Sequence, residues 1–211
     1  MADGRFITFE GGEGCGKTTQ VRLLKEALEK AGVAVTLTHE PGGTWLAEEI
    51  RHLIKDQSSD PPCDRAELLL FLAARAQLVK SVIRPALAAG RWVVSDRFSD
   101  STLAYQGYGR GLPLGFLRTA DAFAREGVSP DLTILLKVAP GTAAARMRRR
   151  EAATGSAADR IELAGESFHA RLNRGFDELA ALEPRRFVIV NADRTVEEVR
   201  DEIWKSMKRF L

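Results

Sequence analysis

The stretch "FEGGEGCGKTTQ", Phe9 to Gln20, decides how the rest of the chain is read. Before it lies a short apolar run, Arg5–Phe9, and after it a segment, Lys17–Ala31, with apolar residues at helical spacing. Gly11-x4-Gly16-Lys17-Thr18 sits at that junction, so the strand and helix that a phosphate-cradling loop needs are both present. Glycines let the backbone turn its amide groups inward, and the following helix aims its positive dipole end at an anion. Lys17 is placed to reach terminal phosphates, and Thr18 offers a hydroxyl to Mg²⁺. The competing reading, a tight turn with an incidental lysine, explains the glycines but not the whole pattern.

Outward from this loop, the chain alternates. Strand-like runs bounded by Gly, Pro, Asp or Asn occur at Arg5–Phe9, Val33–Thr38, Arg91–Ser95, Leu132–Val138 and Arg186–Val190. Between them, helical periodicity marks Lys17–Ala31, Leu46–Lys55, Asp64–Ala89, Leu114–Arg125, Thr142–Arg150, Arg160–Leu182 and Val196–Phe210. Parallel strands need long crossovers, and every gap holds a helix long enough to supply one. An α/β fold follows: an open, mostly parallel five-stranded sheet covered by helices on both faces, in one domain spanning 1–211, with ligands beyond the carboxyl ends of the strands. The patch "RMRRREAATGSAAD", Arg146 to Asp159, is basic and then rich in small residues, and reads as a mobile excursion.

Lys plus Arg total 31 against 29 for Asp plus Glu, so global charge gives no reason to expect nucleic acid or an anionic membrane as partner. No segment offers about 18 uninterrupted apolar residues. Cys15 and Cys63 are too few for a disulfide framework and read as reduced thiols, which points to the cytoplasm. His39, His52 and His169 lack metal-ligand spacing, and Trp45, Trp92 and Trp204 read as packing aromatics.

"WVVSDRF", Trp92 to Phe98, ends a strand with Asp96 and Arg97 at the ligand edge. Asp96 suits a hydrated Mg²⁺ and Arg97 a phosphate of a second substrate; a strand-end ion pair is the plainer alternative. Phe71 and Arg75 are four apart, on one helical face, and would suit a planar heterocycle with carbonyl edges. By themselves they are better read as a core phenylalanine and a surface arginine. Arg146, Arg149 and Arg150 crowd like charges on one helical face, which an anion would relieve; a solvated charged face is the other reading. The nearest match to a guanine-reading Asn-Lys-x-Asp, "NADR" at Asn191–Arg194, lacks the lysine and the closing aspartate, which counts against a GTPase switch.

Together, "FEGGEGCGKTT", "EPGGT", "LLLFLAARAQ", "SDRFSDSTLAYQGYGRGL", "PDLTILLKV" and "DRIE" resemble the bacterial thymidylate kinases over almost the whole chain. The resemblance implies a three-layer P-loop kinase fold with a mobile lid at about 141–162, and a homodimer. It also implies ATP-dependent, Mg²⁺-assisted phosphorylation of dTMP to dTDP, in dTTP synthesis.

Carried over by position, it puts the ATP phosphates on Gly11, Gly12, Glu13, Gly14, Cys15, Gly16, Lys17 and Thr18, and Mg²⁺ on Thr18 and, through water, Asp96. The dTMP phosphate would lie between Arg97 and Arg51, with Phe71 stacked on thymine and Arg75 and Thr102 at its polar edge. Glu10 would approach the sugar hydroxyl, Tyr105 would pack against the deoxyribose, Gln106 would close the pocket, and Glu40 and Pro41 would line it. Lys17 and Arg97 are then catalytic. Glu13, in a loop without arginine, resembles the branch whose catalytic arginine comes from the lid. Among Arg146, Arg148, Arg149, Arg150 and Arg160, the cluster favours Arg149 and the "DRIE" match favours Arg160. His39 stands where relatives often have arginine. A kinase for another nucleoside monophosphate or a nucleoside is one alternative, separated by acceptor preference; a nucleotide switch or sensor is another, which would bind nucleotide without acceptor-dependent ADP production.

Overall fold

The computed structural model describes residues 4–55, 60–155, 160–161 and 163–211. The chain runs β1 (Phe6–Glu10), α1 (Lys17–Lys30), β2 (Val35–His39), α2 (Trp45–Lys55), α3 (Asp64–Leu78), α4 (Arg84–Ala88), β3 (Trp92–Asp96) and α5 (Ser99–Thr102). It continues through α6 (Leu114–Arg125), β4 (Leu132–Lys137), α7 (Pro140–Thr154), α8 (Glu166–Leu182), β5 (Phe187–Asn191) and α9 (Val196–Met207). The strands form one parallel sheet in the order β2-β3-β1-β4-β5. Glu10, His39 and Asp96 therefore end their strands on the same edge.

Helices cover both faces, so the central strands are apolar on both sides rather than alternating. Ile7 and Phe9 pack with Val21, Leu24 and Leu28 of α1 and with Val199, Ile203 and Met207 of α9. Phe6 faces the opposite layer, with Leu78, Ile83, Val93 and Phe98. Beside it, Leu135 of β4 joins Leu172, Phe176 and Leu179 of α8. Burying each such side chain contributes roughly 1.5–3 kcal/mol, which makes the sheet a rigid platform for the residues at its edge. No helix among the described residues is long and apolar enough to cross a membrane.

All the strands read from the sequence are present, with ends shifted by a residue or two. The helices differ more. The single helix expected over Asp64–Ala89 is α3, a π-helical turn at Val79–Ile83, and α4. Pro85 lies just beyond that turn, and its missing N–H and bulky ring disfavour regular pairing with the preceding turn. The helix expected to begin at Arg160 begins at Glu166, after Gly165. The basic excursion is helical as far as Thr154: Pro140 opens α7 at its first turn, and Gly155, left-handed at φ 67, ends it. The rest of that stretch, 156–159, with Asp159 of "DRIE", and Glu162 lie outside the described residues. Trp92 is buried, but Trp45 is 79% exposed and does not pack as expected.

One element escaped the sequence reading altogether. Ser99–Gly109 forms α5 and a π-helical segment, Leu103–Gly109. Its Ser, Asp, Thr and Gly are weak helix formers, and nearly every residue is buried, so no amphipathic stripe marks it.

Candidate active site

Beyond the carboxyl edge of the sheet lies a cavity of about 900 Å³, within the usual range for small-molecule sites. The loop between β1 and α1 forms one wall. Its glycines are required there: Gly11 has φ 133, and a Cβ on it would stand 2.4 Å from the Leu136 carbonyl oxygen. Gly14, at φ 69, would place a Cβ 2.6 Å from the Ala143 carbonyl oxygen, so the loop lies directly against α7. The Lys17 ammonium is held inside the loop, donating to the Gly11 and Gly12 carbonyls at 3.0 and 2.9 Å. Thr18, in the first turn of α1, donates its hydroxyl proton to Asp96 Oδ2 at 2.7 Å. Lys17, Thr18 and Asp96 all line the cavity.

Arg97 follows β3 with φ 74, a conformation that side chains rarely adopt and that surrounding bonds must hold. Its N–H donates to the Phe9 carbonyl at 2.9 Å, while its guanidinium donates to the Gly11 carbonyl, to Ser101 Oγ and to Glu13. Glu13 also accepts the Tyr105 hydroxyl at 3.0 Å, and the Arg97 guanidinium lies 4.8 Å from the Tyr105 ring centre. Burial opposes charge on Glu13, but Arg97, Lys17 and the Tyr105 bond outweigh it and lower the carboxyl to about 2. Glu13, which the resemblance places with the ATP phosphates, lines the cavity and bridges to Arg97 and Tyr105.

The far wall comes from α2 and α3. Phe71 and Arg75 share one face of α3 and both line the cavity, as do Arg51 of α2, Glu40, Pro41, Thr102, Tyr105 and Gln106. Arg75 is 1% exposed and is not the surface arginine of the plainer reading. Glu40 accepts from its Nε at 2.9 Å and from its Nη2 at 2.5 Å, and Asp121 accepts from Nη1 at 2.8 Å. Burial disfavours its charge, yet Glu40 and Asp121 prevail and keep it protonated. Thr102 Oγ1 is buried, lines the cavity and has no hydrogen-bond partner among the described residues. Such an orphan hydroxyl is costly unless a ligand meets it. His39 lies 3.0 Å from Glu48, which also accepts from the Gly43 N–H at 2.8 Å.

Several expected residues are not at the cavity. Glu10 is fully buried behind its wall, where its carboxyl accepts from the backbone N–H groups of Phe98 and Ser101 and from Ser101 Oγ. It caps the start of α5 instead of reaching toward a sugar. Gly11, Gly12 and Cys15 shape the loop without lining the cavity. On α7, Arg146 and Arg150 face the cavity, whereas Arg149 is exposed and does not. Arg160 also stays off the cavity wall, bonded to Glu67, while its neighbour Ile161 lines it. Asn191–Arg194 does not line the cavity, but Arg146, which does, donates to the Ala192 carbonyl at 2.8 Å.

Ser101, Asp121 and Glu67 were missed. They are ordinary polar residues in helical stretches, and only their burial against arginines reveals them.

The family model described as thymidylate kinase matches residues 9–203. The chain belongs to the thymidylate kinase family. Curated thymidylate kinases of Solidesulfovibrio magneticus and Magnetococcus marinus are 47% and 46% identical to it, covering 98% and 99% of this chain and 100% and 98% of theirs. The crystal structure of thymidylate kinase from Ehrlichia chaffeensis superposes with a TM-score of 0.77 at 34% identity, over 97% of this chain and 99% of that one. As a thymidylate kinase family member the chain is an ATP-dependent nucleoside monophosphate kinase, and the parallel sheet with its phosphate loop is the fold this requires.

Proposed function

We propose that this chain transfers the γ-phosphoryl group of ATP to dTMP, giving dTDP and ADP. The carrying observation is that one cavity runs from the phosphate loop, past Arg97, to the pair Phe71 and Arg75. A donor and an acceptor nucleotide can thus meet end to end. ATP phosphates would lie along Gly11–Thr18 with Lys17 on the terminal ones, and Arg51 and Arg97 would clamp the acceptor phosphate. Phe71 supplies a stacking face, and the outer N–H groups of Arg75 and the Thr102 hydroxyl supply bonds to the base edge. Tyr105 and Gln106 close the pocket, and Pro41 and Glu40 shape its rim.

Phosphoryl transfer leaves a protein little covalent work, so positioning and charge neutralisation are the chemistry. No general base is needed, because the acceptor is an ionised phosphate oxygen at neutral pH. The Thr18 hydroxyl and Asp96 carboxylate are adjacent hard oxygens at the cavity rim, a donor set that fits Mg²⁺ retaining most of its waters. When bound, Mg²⁺ would neutralise phosphate charge there. Residues 141–162 act as the lid of a single domain spanning 1–211, with Arg146 and Arg150 as the arginines that already face the cavity. Leu53 of α2, Leu69 of α3 and Phe116 and Phe123 of α6 are all more than half exposed, which supports a homodimer through this side. Free thiols at Cys15 and Cys63 support a cytoplasmic enzyme.

The test is ADP production with Mg²⁺-ATP and each of dTMP, dUMP, dCMP, dGMP, UMP and thymidine, beside Arg75→Ala. Preference for dTMP that is lost or broadened in the variant is expected, with dUMP poorer by about 1–3 kcal/mol for its missing methyl. Acceptor-independent hydrolysis, or preference for another acceptor, would sink the reading.

A further inference from the structure

Glu67 lies on α3 one turn before Phe71 and two before Arg75, so it continues the face that lines the acceptor end of the cavity. Its carboxylate side chain is only 1% exposed. Three cationic or amide groups converge on it, Gln106 and Arg110 from one segment and Arg160 from another. Gln106 Nε2 donates at 2.9 Å, Arg110 Nε and Nη2 donate at 3.3 and 3.2 Å, and Arg160 Nη2 donates in the shortest contact of the set. The charges do not balance, since two guanidiniums share one carboxylate, although Asp64 lies 3.5 Å from Arg110. Arg160 Nε is buried without a partner among the described residues.

These groups are unequal in their attachment. Arg110 also lies 5.0 Å from the Phe168 ring centre and is fixed from two sides. Arg160 has Glu67 as its polar partner among the described residues, where its Nε has none, whereas Arg110 is held by Glu67, Asp64 and the Phe168 ring. Because Arg110 would still neutralise Glu67, departure of Arg160 would not strand a buried charge. Gln106, on the acceptor wall, shares the same oxygen that Arg110 Nε uses.

We propose that Glu67 is a positioning residue: one buried carboxylate sets both the Gln106 amide at the acceptor pocket and the Arg160 guanidinium beside it, and so couples acceptor binding to the arginine. This rests on the reading of the Phe71–Arg75 end as the acceptor site. Glu67 touches no reacting atom and acts through these two partners.

The test is a double-mutant cycle of Glu67→Gln with Arg160→Ala, reading kcat and the KM for dTMP and for ATP separately, with thermal unfolding as a fold control. Wild-type dTMP-dependent ADP production is the reference, and its absence would defeat the acceptor reading rather than this one. Glu67→Gln is expected to lower kcat/KM for dTMP about tenfold, to leave the KM for ATP within about twofold, and to have most of its kcat effect abolished in the Arg160→Ala background. Glu67→Asp, which keeps the charge on a shorter stem, should recover part of the loss and provides the same cycle if Glu67→Gln does not fold. Equal effects with and without Arg160, or a parallel rise in both KM values, would overturn the proposal, because a purely structural carboxylate would give that result.

Discussion

Arg75 of α3 donates a hydrogen bond to Asp121 of α6 at 2.8 Å, while Glu40, at the end of β2, holds its opposite edge. The guanidinium is thereby fixed from two sides, by Glu40 on the acceptor wall and by Asp121 of α6, which does not line the cavity. Asp121 also accepts from Ser99 Oγ at 2.9 Å and Arg125 Nε at 3.1 Å, so it ties α6 to the start of α5. Asp121→Asn keeps the shape but replaces one acceptor by a donor facing Arg75. The expected outcome is a loss of about 1–3 kcal/mol in urea unfolding. KM for dTMP should rise and discrimination against dCMP should relax, with KM for ATP unchanged. A variant that loses stability but keeps dTMP discrimination would show that Glu40 alone suffices to aim Arg75.

The Tyr105 hydroxyl donates to Glu13 at 3.0 Å, and its ring lies beside Arg97. Tyr105→Phe removes the bond and retains the ring, leaving Glu13 with Arg97 as its bonded partner among the described residues. The predicted change is a several-fold rise in KM for dTMP, equivalent to about 1 kcal/mol, with little change in kcat. Steady-state kinetics at saturating ATP checks it, and an equal fall in kcat with KM unmoved would contradict it.

Thr18 and Asp96 meet at 2.7 Å at the cavity rim. Thr18→Val preserves the branched shape and removes the oxygen. If this pair helps hold Mg²⁺, the Mg²⁺ concentration needed for half-maximal rate should rise by about tenfold or more, as for loss of one charge-assisted ligand worth roughly 1.5–3 kcal/mol. Titrating Mg²⁺ at fixed ATP gives the answer directly, and an unchanged Mg²⁺ profile would remove Thr18 from the site.

The strands were legible because parallel strands buried on both faces read as apolar runs, and the loop from Gly11 to Thr18 was legible because its glycines meet a backbone demand. Gly11 illustrates this: the neighbouring Leu136 carbonyl leaves no room for a Cβ. What stayed hidden depends on long-range pairing. Arg75 reads as a surface cation in its own helix, and only Glu40 and Asp121, 35 and 46 residues away, make it a buried one. Glu10 follows the same logic in reverse. The family resemblance implied a contact with the sugar hydroxyl, but the backbone of Phe98 and Ser101, 88 and 91 residues on, takes its oxygens. The buried segment after Ser99 has neither an apolar stripe nor strong helix formers, so its helicity comes from tertiary packing.

Glu10 carries the last prediction. Burial, then the charge of Asp100, pushes its carboxyl up to about 8 from 4.5, despite the opposing bonds from Ser101 and Phe98 and the charge of Arg97. A raised carboxyl means that the folded protein holds a proton that the unfolded chain releases. Its contribution is therefore fully present below 4.5, shrinks as pH rises toward about 8, and is constant above that. Glu10→Gln cannot titrate and keeps an oxygen to accept the Phe98 and Ser101 N–H groups. Measured by urea unfolding, wild type minus Glu10→Gln should fall by an amount on the order of a few kcal/mol between about pH 5 and pH 8. Taking the difference cancels the titration of groups common to both proteins. A difference that is flat across that interval would mean that Glu10 is already ionised in the folded state, with its three hydrogen bonds outweighing burial.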